Sequence, residues 1–225
     1  MESDGFSAAE RAAVYRAIES RRDVRAEFID TPVDEATLTR VLGAAHRAPS
    51  VGLSQPWRFI VISNLETRRS AHAAFERANV AASETYGDPR EAAVYRNLRL
   101  AGILEAPLNI CVTCDDEPSR GRGLGRRTMP EMARYSTVCA IENLWLAARV
   151  EGLGIGWVSI IDPATIRNLL DIPDAVTIVA YLCVGFVRTF AETADLERDK
   201  WEGRLPLAEV VDYERYGGKQ TVRSS

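Results

Sequence analysis

The chain has 225 residues, enough for one full hydrophobic core, and its content of 46% hydrophobic and 27% charged residues is ordinary for a globular protein. Its formal net charge of −4 argues against a general nucleic-acid-binding protein, which needs a basic surface. No apolar run approaches the roughly 20 residues that span a bilayer, and residues 1–4 are polar and acidic, unlike a secretory signal. We therefore expect a cytoplasmic protein without a membrane or nucleic-acid partner.

An amphipathic helix is predicted near the N-terminus, followed by a cluster of charges. Ser7 and Glu10 have the spacing of a capping box, and Val14 and Ile18 form an i, i+4 apolar stripe. The helix should end at the sequence Arg-Arg-Asp-Val-Arg, residues 21–25. Guanidinium groups bind phosphate through paired hydrogen bonds, so the cluster suggests an anion site, although the arginines could simply complement the negative end of the helix dipole. The surrounding positive charge should keep the aspartate of this segment ionised.

Further helices and strands are predicted along the rest of the chain from hydrophobic periodicity and capping residues. The helices run from a cap at Asp34 to Pro49, over 66–86, 91–105 and 135–151, and from the cap Asp162 to Asp171. The strands cover 57–63, 108–114, 156–161 and 177–187, and the second and third are apolar almost throughout, as expected if helices cover both faces. A single α+β domain over residues 1–225 is the simplest interpretation, with an irregular arm from about 188 to 225. The apolar residues of this arm should dock on its own subunit or on a second one.

The four cysteines, Cys111, Cys114, Cys139 and Cys183, fall inside apolar segments, which suits buried free thiols. Cys111 and Cys114 lie three apart on a predicted strand and should point to opposite faces. Neither a disulfide nor a shared metal ion is therefore expected, and with two histidines in the chain we predict no metal site.

Two further segments have the composition of binding loops. Residues 48–56, Ala-Pro-Ser-Val-Gly-Leu-Ser-Gln-Pro, offer backbone N–H groups and the side chains of Ser50 and Gln55 to a polar ring, or they form only an ordered connection. Residues 152–160, Gly-Leu-Gly-Ile-Gly-Trp-Val-Ser-Ile, precede a strand, whereas the dinucleotide fingerprint follows one. Their glycines should let a ligand plane approach the backbone, and Ser159 would be a lone hydroxyl on an apolar strand, bonded either to a ligand or to a nearby carbonyl.

Together these stretches resemble the nitroreductase superfamily of flavin mononucleotide (FMN) proteins, over about residues 6–213. The resemblance is carried by residues 21–25, 48–52, 55–57, 135–139, 143–149 and 156–160. Asp23 and the serine after Gly-Trp-Val resemble, more narrowly, a branch that uses reduced FMN as its substrate. That branch fragments reduced FMN with O2 to 5,6-dimethylbenzimidazole and D-erythrose 4-phosphate, for the lower ligand of cobalamin.

The resemblance implies a nitroreductase-like α+β fold, with a central mixed or antiparallel sheet flanked by helices, in a domain-extended homodimer that binds FMN at the subunit interface. Arg21, Arg25 and Arg204 would hold the phosphate and ribityl end, although a tail arginine such as Arg204 could be only a rim contact. Ser50 would lie near the ring, Leu100 on a helix lining the pocket, and the backbone of Gly156, Trp157, Val158 and Ser159 would face the isoalloxazine. Arg22 and Val24 belong to the same binding segment as Asp23.

The implied chemistry assigns Asp23 as the base that removes a proton from the ribityl carbon, and Ser159 as the group that stabilises an oxyanion or relays a proton. Electrons would come from NADH or NADPH directly, or from a separate flavin reductase. Two alternatives stay open, a conventional NAD(P)H-dependent nitro- or ene-reductase and a non-catalytic flavin-binding protein. The basic segment 121–132 and the non-acidic Ala26 depart from the expected pattern, and that segment could form a lid or meet a partner.

Overall fold

The computed structural model describes residues 5–218, which form an α+β fold with one four-stranded antiparallel sheet. The strands are β1 (Trp57–Ile62), β2 (Leu108–Asp115), β3 (Leu153–Val158) and β4 (Val176–Phe186), in the order β1-β2-β4-β3. The helices are α1 (Ala8–Ser20), α2 (Glu35–His46), α3 (Leu65–Ser83), α4 (Pro89–Asn97), α5 (Met132–Val150), α6 (Pro163–Leu169) and α7 (Asp195–Arg198). Short 3-10 turns occur at Val51–Leu53, Arg120–Gly123 and Leu207–Glu209.

The predicted helix starts are confirmed by their caps. Ser7 and Glu10 form both hydrogen bonds of the capping box. Asp34 accepts the Thr37 N–H at 2.9 Å, and Asp162 caps α6 in the same way. These bonds satisfy N–H groups that the first helical turn leaves free.

Two hydrophobic layers cover the two faces of the sheet. On one face α2 and α5 pack on the strands, around residues such as Ile110 and Leu144. On the other face the core is built around residues such as Phe75 and Ile166, from α3 and α6. The strands β2 and β3 are buried at all but one position each, as their apolar sequences predict, although β3 lies at an edge of the sheet and the central pair is β2 and β4.

Three local predictions are wrong: the end of one helix, the range of one strand and the burial of one cysteine. The fourth helix ends at Asn97 instead of continuing to 105, and the third strand runs over 153–158 instead of 156–161. Cys111, Cys114 and Cys183 are buried free thiols, as predicted, but Cys139 is exposed on α5 because it lies on the helix face turned away from the sheet.

The C-terminal arm docks on its own subunit through Trp201. The indole lies 5.7 Å from the Tyr86 ring and 6.3 Å from the Tyr95 ring, between centroids. Beyond this anchor Leu205 and Leu207 are exposed. None of the helices between residues 5 and 218 is long and apolar enough to cross a membrane.

Candidate active site

The segment 21–25 lies along the free edge of β3 and extends the sheet by one short contact. The Val24 N–H donates to the Ile155 carbonyl at 2.9 Å, in a parallel bridge between Asp23 and Ile155. A Cβ on Gly156 would collide with the Val24 carbonyl oxygen, and one on Gly154 would lie 2.9 Å from Val24 Cγ2. These glycines therefore admit residue 24 of the protein's own chain, and the approach of a ligand plane to this backbone stays a prediction.

Asp23 is held by two groups that differ in charge. Its Oδ1 accepts the Trp157 backbone N–H at 2.9 Å, and its Oδ2 accepts Arg25 Nη2 at 2.5 Å, while 42% of its side-chain surface stays open. Burial raises the pKa of Asp23 above its ordinary value, against the opposing effects of Arg25, the Trp157 N–H and Arg21. From the sequence, we expected the nearby arginines to have the largest effect on the pKa of Asp23, but burial has a larger effect. A carboxylate with a raised pKa is a stronger base than an ordinary aspartate.

Arg25 binds protein groups rather than facing solvent. Besides Asp23, its guanidinium donates to the Trp157 carbonyl at 2.6 Å and to the Leu100 carbonyl at 2.9 Å. Only 12% of its side-chain surface is exposed. Arg25 therefore links three segments of the chain through hydrogen bonds, and both of its terminal nitrogens donate to protein groups.

Leu100 reaches the site through its backbone and not from a helix. The chain leaves α4 at Leu98, which is extended, and Gly102 has a φ of +118° that favours glycine. A Cβ at Gly102 would lie 3.1 Å from the Arg25 carbonyl oxygen. The predicted helix over 91–105 stops short because this close packing of residues 98–102 against Arg25 requires an irregular backbone.

Arg22 and Arg21 have different surroundings. Arg22 donates to the carbonyls of Glu19 and Arg21, each at 2.7 Å, and to that of Glu192, and its buried Nε has no hydrogen-bond partner among the described residues. Arg21 instead lies 4.8 Å above the Trp145 ring and 3.8 Å from a Glu142 carboxylate oxygen. Arg22 therefore fastens the arm to this segment, whereas the guanidinium group of Arg21 is more available for binding a ligand.

Helix α5 supports the segment from below, a role that the sequence did not reveal. The Trp145 indole N–H donates to the Arg22 carbonyl at 3.2 Å, and Arg149 Nε donates to the Ser20 carbonyl at 3.1 Å. The helical periodicity of α5 identified Trp145 as a core residue, but its hydrogen bond spans 123 positions and has no local signal.

Two cavities adjoin the segment. The larger, about 540 Å³, brings Arg21 and Arg204 together, as the resemblance implied, but Arg22 joins them there in place of Arg25, which lines the smaller cavity. The larger cavity is also lined by four glutamates, Glu19, Glu142, Glu192 and Glu197. The smaller, about 130 Å³, lies over Asp23 and Arg25 and is lined as well by Arg99 and Arg198, which sequence reasoning missed. Neither arginine belongs to a motif: Arg99 is brought here by the segment that follows α4 and Arg198 by the C-terminal arm.

Ser159 follows β3 and is exposed. The prediction of a lone hydroxyl buried on an apolar strand is wrong, because the strand ends one residue earlier. Within the described chain its hydroxyl makes no hydrogen bond, so it is open to a ligand. The side chains of Val24 and Val158 are buried, so these two positions offer only backbone groups.

Ser50 belongs to a separate part of the molecule. Its Oγ accepts the Gln55 N–H at 3.1 Å and closes the turn around Val51–Leu53. The Val51 N–H donates to Ser136 Oγ at 3.0 Å, which fastens this turn to α5. Gln55 adopts a φ of +49°, and the strained turn packs on residues 119–128 rather than on Asp23.

Comparison with known proteins gives a consistent result. The model of the nitroreductase family matches residues 18–186. A 5,6-dimethylbenzimidazole synthase of Rhodospirillum rubrum is 48% identical over 186 residues, which are 83% of this chain and 87% of that protein. One of Rhodobacter capsulatus is 40% identical over 201 residues, 89% of this chain and 96% of that protein.

The fold is shared with solved structures as well. Oxidised iodotyrosine deiodinase bound to FMN and 3-iodo-L-tyrosine superposes with a TM-score of 0.72 at 20% identity. The alignment covers 90% of this chain and 99% of that one. At this identity the likeness concerns the fold.

Proposed function

Since the chain belongs to the nitroreductase family, we propose that it acts as a 5,6-dimethylbenzimidazole synthase in making the lower ligand of cobalamin. In this reaction reduced FMN is the substrate, and O2-dependent fragmentation gives 5,6-dimethylbenzimidazole and D-erythrose 4-phosphate. Relatives of that name at 48% and 40% identity, which this chain covers almost entirely, support the proposal. The FMN of a structural neighbour is consistent with the flavin.

One observation carries the proposal, the setting of Asp23. The carboxylate lies beside a small cavity, is oriented by the Trp157 N–H and Arg25, and keeps part of its surface open. Proton removal needs a base that is fixed in direction yet reachable, and a carboxylate with a raised pKa is the better base. A flavin carrier that only binds and releases its ligand would have no use for such a group.

The chemistry that the flavin supplies is the transfer of electrons to O2. The contribution of the chain is to place groups around it. Asp23 Oδ would accept a proton from the ribityl carbon, and the free hydroxyl of Ser159 would donate to an oxygen on which negative charge develops. Both residues lie near Trp157: Asp23 accepts a hydrogen bond from its backbone N–H, and Ser159 follows it two positions later in the chain.

The phosphate would be held by Arg21 and Arg204. They line the cavity of about 540 Å³ with Arg22, whose buried Nε lacks a partner among residues 5–218. An unpaired buried donor fits an anionic group, because an acceptor would remove its desolvation cost. The glutamates of this cavity oppose the binding of an anion, so Arg21 would exchange its 3.8 Å contact with Glu142 for the phosphate. Arg25, Leu100 and the backbone of Gly156 to Val158 would shape the wall.

A homodimer would complete the site. Helix α1 buries no side chain in the described chain, and Val14, Tyr15 and Ile18 are exposed on it. Val138 on α5 and Leu207 on the arm are also exposed. A second subunit on this apolar surface would let the Ser50 turn of one chain approach the flavin held by the other. Sedimentation equilibrium should therefore give twice the mass of 24.9 kDa.

The two alternatives make different demands on the same site. A conventional NAD(P)H-dependent nitro- or ene-reductase would return the flavin unchanged after hydride transfer, and a passive binder would return it without any turnover. The electrons for the synthase would come from a reduced nicotinamide or from a separate flavin reductase, and an experiment that starts from chemically reduced FMN does not depend on which of them it is.

A single-turnover experiment tests the proposal. The protein is loaded anaerobically with chemically reduced FMN and then exposed to air, while the absorbance is followed and the products are identified by mass spectrometry. Loss of the flavin spectrum together with the appearance of 5,6-dimethylbenzimidazole is expected. Quantitative return of oxidised FMN would overturn the proposal, and addition of NADPH with a nitroaromatic would then separate the reductase from the binder.

A further inference from the structure

The hydrophobic layer on the α3 side of the sheet contains three buried polar side chains that the proposed chemistry does not use. They come from three different elements, Arg68 from α3, Asn109 from β2 and Tyr181 from β4. The layer itself is apolar and is built around residues such as Phe75 and Ile103. Because a buried polar group costs free energy unless hydrogen bonds compensate it, the partners of these three side chains indicate what each contributes.

Arg68 reaches from α3 to the irregular segment that precedes β2. Its Nη1 donates to the Ala106 carbonyl at 2.6 Å, and the Ala106 N–H donates to the Gly102 carbonyl at 3.0 Å. Among residues 5–218 Arg68 forms no ion pair, and its buried Nε has no hydrogen-bond partner. A buried charge held in this way contributes little to stability, since apolar side chains of similar volume are often as stable.

Asn109 holds the same segment from β2. Its amide nitrogen donates to the carbonyls of Ile103 at 3.2 Å and Leu108 at 2.9 Å. Its Oδ1 accepts the Tyr181 hydroxyl at 3.0 Å, so both ends of the amide are engaged and its orientation is fixed. Two buried side chains from different elements therefore hold this segment at two carbonyls, those of residues 103 and 106.

The preceding part of the segment determines where Arg25 lies. The Leu100 carbonyl accepts Arg25 Nη1 at 2.9 Å, and a Cβ at Gly102 would lie 3.1 Å from the Arg25 carbonyl oxygen. The guanidinium of Arg25 in turn donates to Asp23 and to the Trp157 carbonyl. The position of the Asp23 carboxylate therefore depends on the segment through a continuous series of contacts that begins in the core.

We propose that Arg68 and Asn109 are positioning residues for Asp23, acting through residues 100–106 and Arg25. This inference rests on the proposed function, in which Asp23 is the base that removes the ribityl proton. A base must be aligned with the proton that it removes, and a displacement of about 1 Å can slow a reaction by about a hundredfold. The two buried side chains would supply this alignment without touching the flavin.

Arg68→Met tests the proposal, because it keeps a side chain of similar volume and removes the hydrogen bond to Ala106. In one turnover of reduced FMN with O2, the rate of product formation per bound flavin should fall about tenfold or more, while the affinity for FMN should change less than about threefold. Arg68→Lys can still donate to the carbonyl and should recover part of the rate. The matched control is Arg167→Met on α6, since Arg167 also donates from a helix to a carbonyl of a turn, that of Pro173, and it should leave the rate unchanged.

A double variant shows whether Arg68 acts through Asp23. In Asp23→Asn, which lacks the base, the addition of Arg68→Met should slow product formation no further, because both changes remove the same contribution. A change that only weakened the fold would slow the reaction by the same factor in both backgrounds.

Hydrogen exchange of the Trp157 amide, measured by NMR, needs no turnover. This N–H donates to Asp23 Oδ1 at 2.9 Å, so its exchange reports how firmly the carboxylate is held. It should become faster in Arg68→Met and in Tyr181→Phe, relative to the amide of Leu182 on the paired strand β4. A general loss of stability would instead accelerate both amides. If Arg68→Met does not fold, Tyr181→Phe is used in the same comparisons.

The proposal is overturned if Arg68→Met forms product at the native rate, if it slows Asp23→Asn as much as it slows the native protein, or if Arg167→Met causes the same loss. Unchanged exchange of the Trp157 amide in both network variants would also overturn it. Failure of the native protein to form product would overturn the proposed function instead, and the exchange measurement would still decide whether Arg68 and Asn109 position Asp23.

Discussion

The segment 21–25 and the arginine loop, which is residues 119–128 between β2 and α5, are both rich in arginine, but their guanidinium groups are used differently. In the first, Arg22 and Arg25 donate to backbone carbonyls, and Arg25 also binds Asp23. In the second, only Arg126 of the four arginines donates to carbonyls within the described chain, while glycine conformations and close backbone packing hold the shape.

The difference shows how similar compositions build different sites. An arginine bonded to carbonyls fixes the geometry of its neighbours, and here it positions one carboxylate beside a small cavity. An arginine on a glycine-built frame that makes no hydrogen bond to the described chain contributes little to holding that frame. Substitutions should therefore damage the fold in the first region and spare it in the second.

The largest expected effect is on stability, and it is tested by comparing the free energies of unfolding of Arg25→Gln and Arg122→Gln. Arg25→Gln should lower the free energy of unfolding by about 3 kcal/mol, because it removes charge-assisted hydrogen bonds of a mostly buried group and leaves Asp23 without its ion pair. Arg122→Gln should stay within about 0.5 kcal/mol of the native protein. Urea denaturation of both variants gives the comparison, and equal losses would remove the distinction between the regions.

Gly156→Ala examines the contact between the segment and β3. The added methyl group would collide with the Val24 carbonyl, so we expect a loss of about 1–3 kcal/mol and weaker FMN binding as Asp23 moves. Gly43→Ala in α2 is the matched control, because no heavy atom lies within 4 Å of its added Cβ. It should raise stability by up to about 1 kcal/mol. Thermal unfolding of the pair is the measurement, and a neutral Gly156→Ala would mean that this contact is loose.

Trp145→Phe removes the indole N–H that holds the Arg22 carbonyl at 3.2 Å. We expect a loss of about 1 kcal/mol in stability and a lower affinity for FMN. Trp57→Phe removes a similar bond, to His46 at 3.1 Å, from an equally buried indole outside the segment. It should cost about as much stability and leave FMN affinity intact, so fluorescence titration of FMN distinguishes support of the site from support of the fold.

The smallest expected effect is the pH dependence that Asp23 contributes. Its folded-state pKa is raised by burial, so the folded protein binds this proton more tightly than the unfolded chain does. The contribution to stability is complete below the unfolded pKa, near 3.9, and is lost as pH rises through the folded pKa. The free energy of unfolding of the native protein minus that of Asp23→Asn should thus decrease as the pH rises above the ordinary aspartate pKa of about 3.9. An increase over this range would show that Arg25 outweighs burial.

Much of the fold follows from local sequence signals. The caps at Ser7, Asp34 and Asp162 mark three helix starts, since capping depends on residues a few positions apart. The strands β1, β2 and β4 lie within a residue of their predicted ranges. The end of α4 and the start of β3 were missed because residues 98–102 and Gly154 are shaped by packing against residues 24 and 25, far away in the chain.

The candidate site was predictable in composition but not in the use of each group. The sequence indicated Asp23, the arginines of its segment and Arg204, and the structure brings Arg204 into the same cavity as Arg21. It could not show that Arg25 binds backbone carbonyls, or that burial determines the direction of the pKa shift of Asp23. Arg99 carries no motif and depends on tertiary packing.

The most direct test of the account is the product yield of Asp23→Asn in one turnover of reduced FMN with O2. Bound flavin is measured before exposure to air, and 5,6-dimethylbenzimidazole per bound flavin is measured afterwards, for the variant and the native protein. The asparagine can still accept the Trp157 N–H, so FMN should bind within a few-fold of the native affinity. Product should fall by about 100-fold or more, because the base is gone. A near-native yield from Asp23→Asn would contradict the assignment of Asp23 as that base.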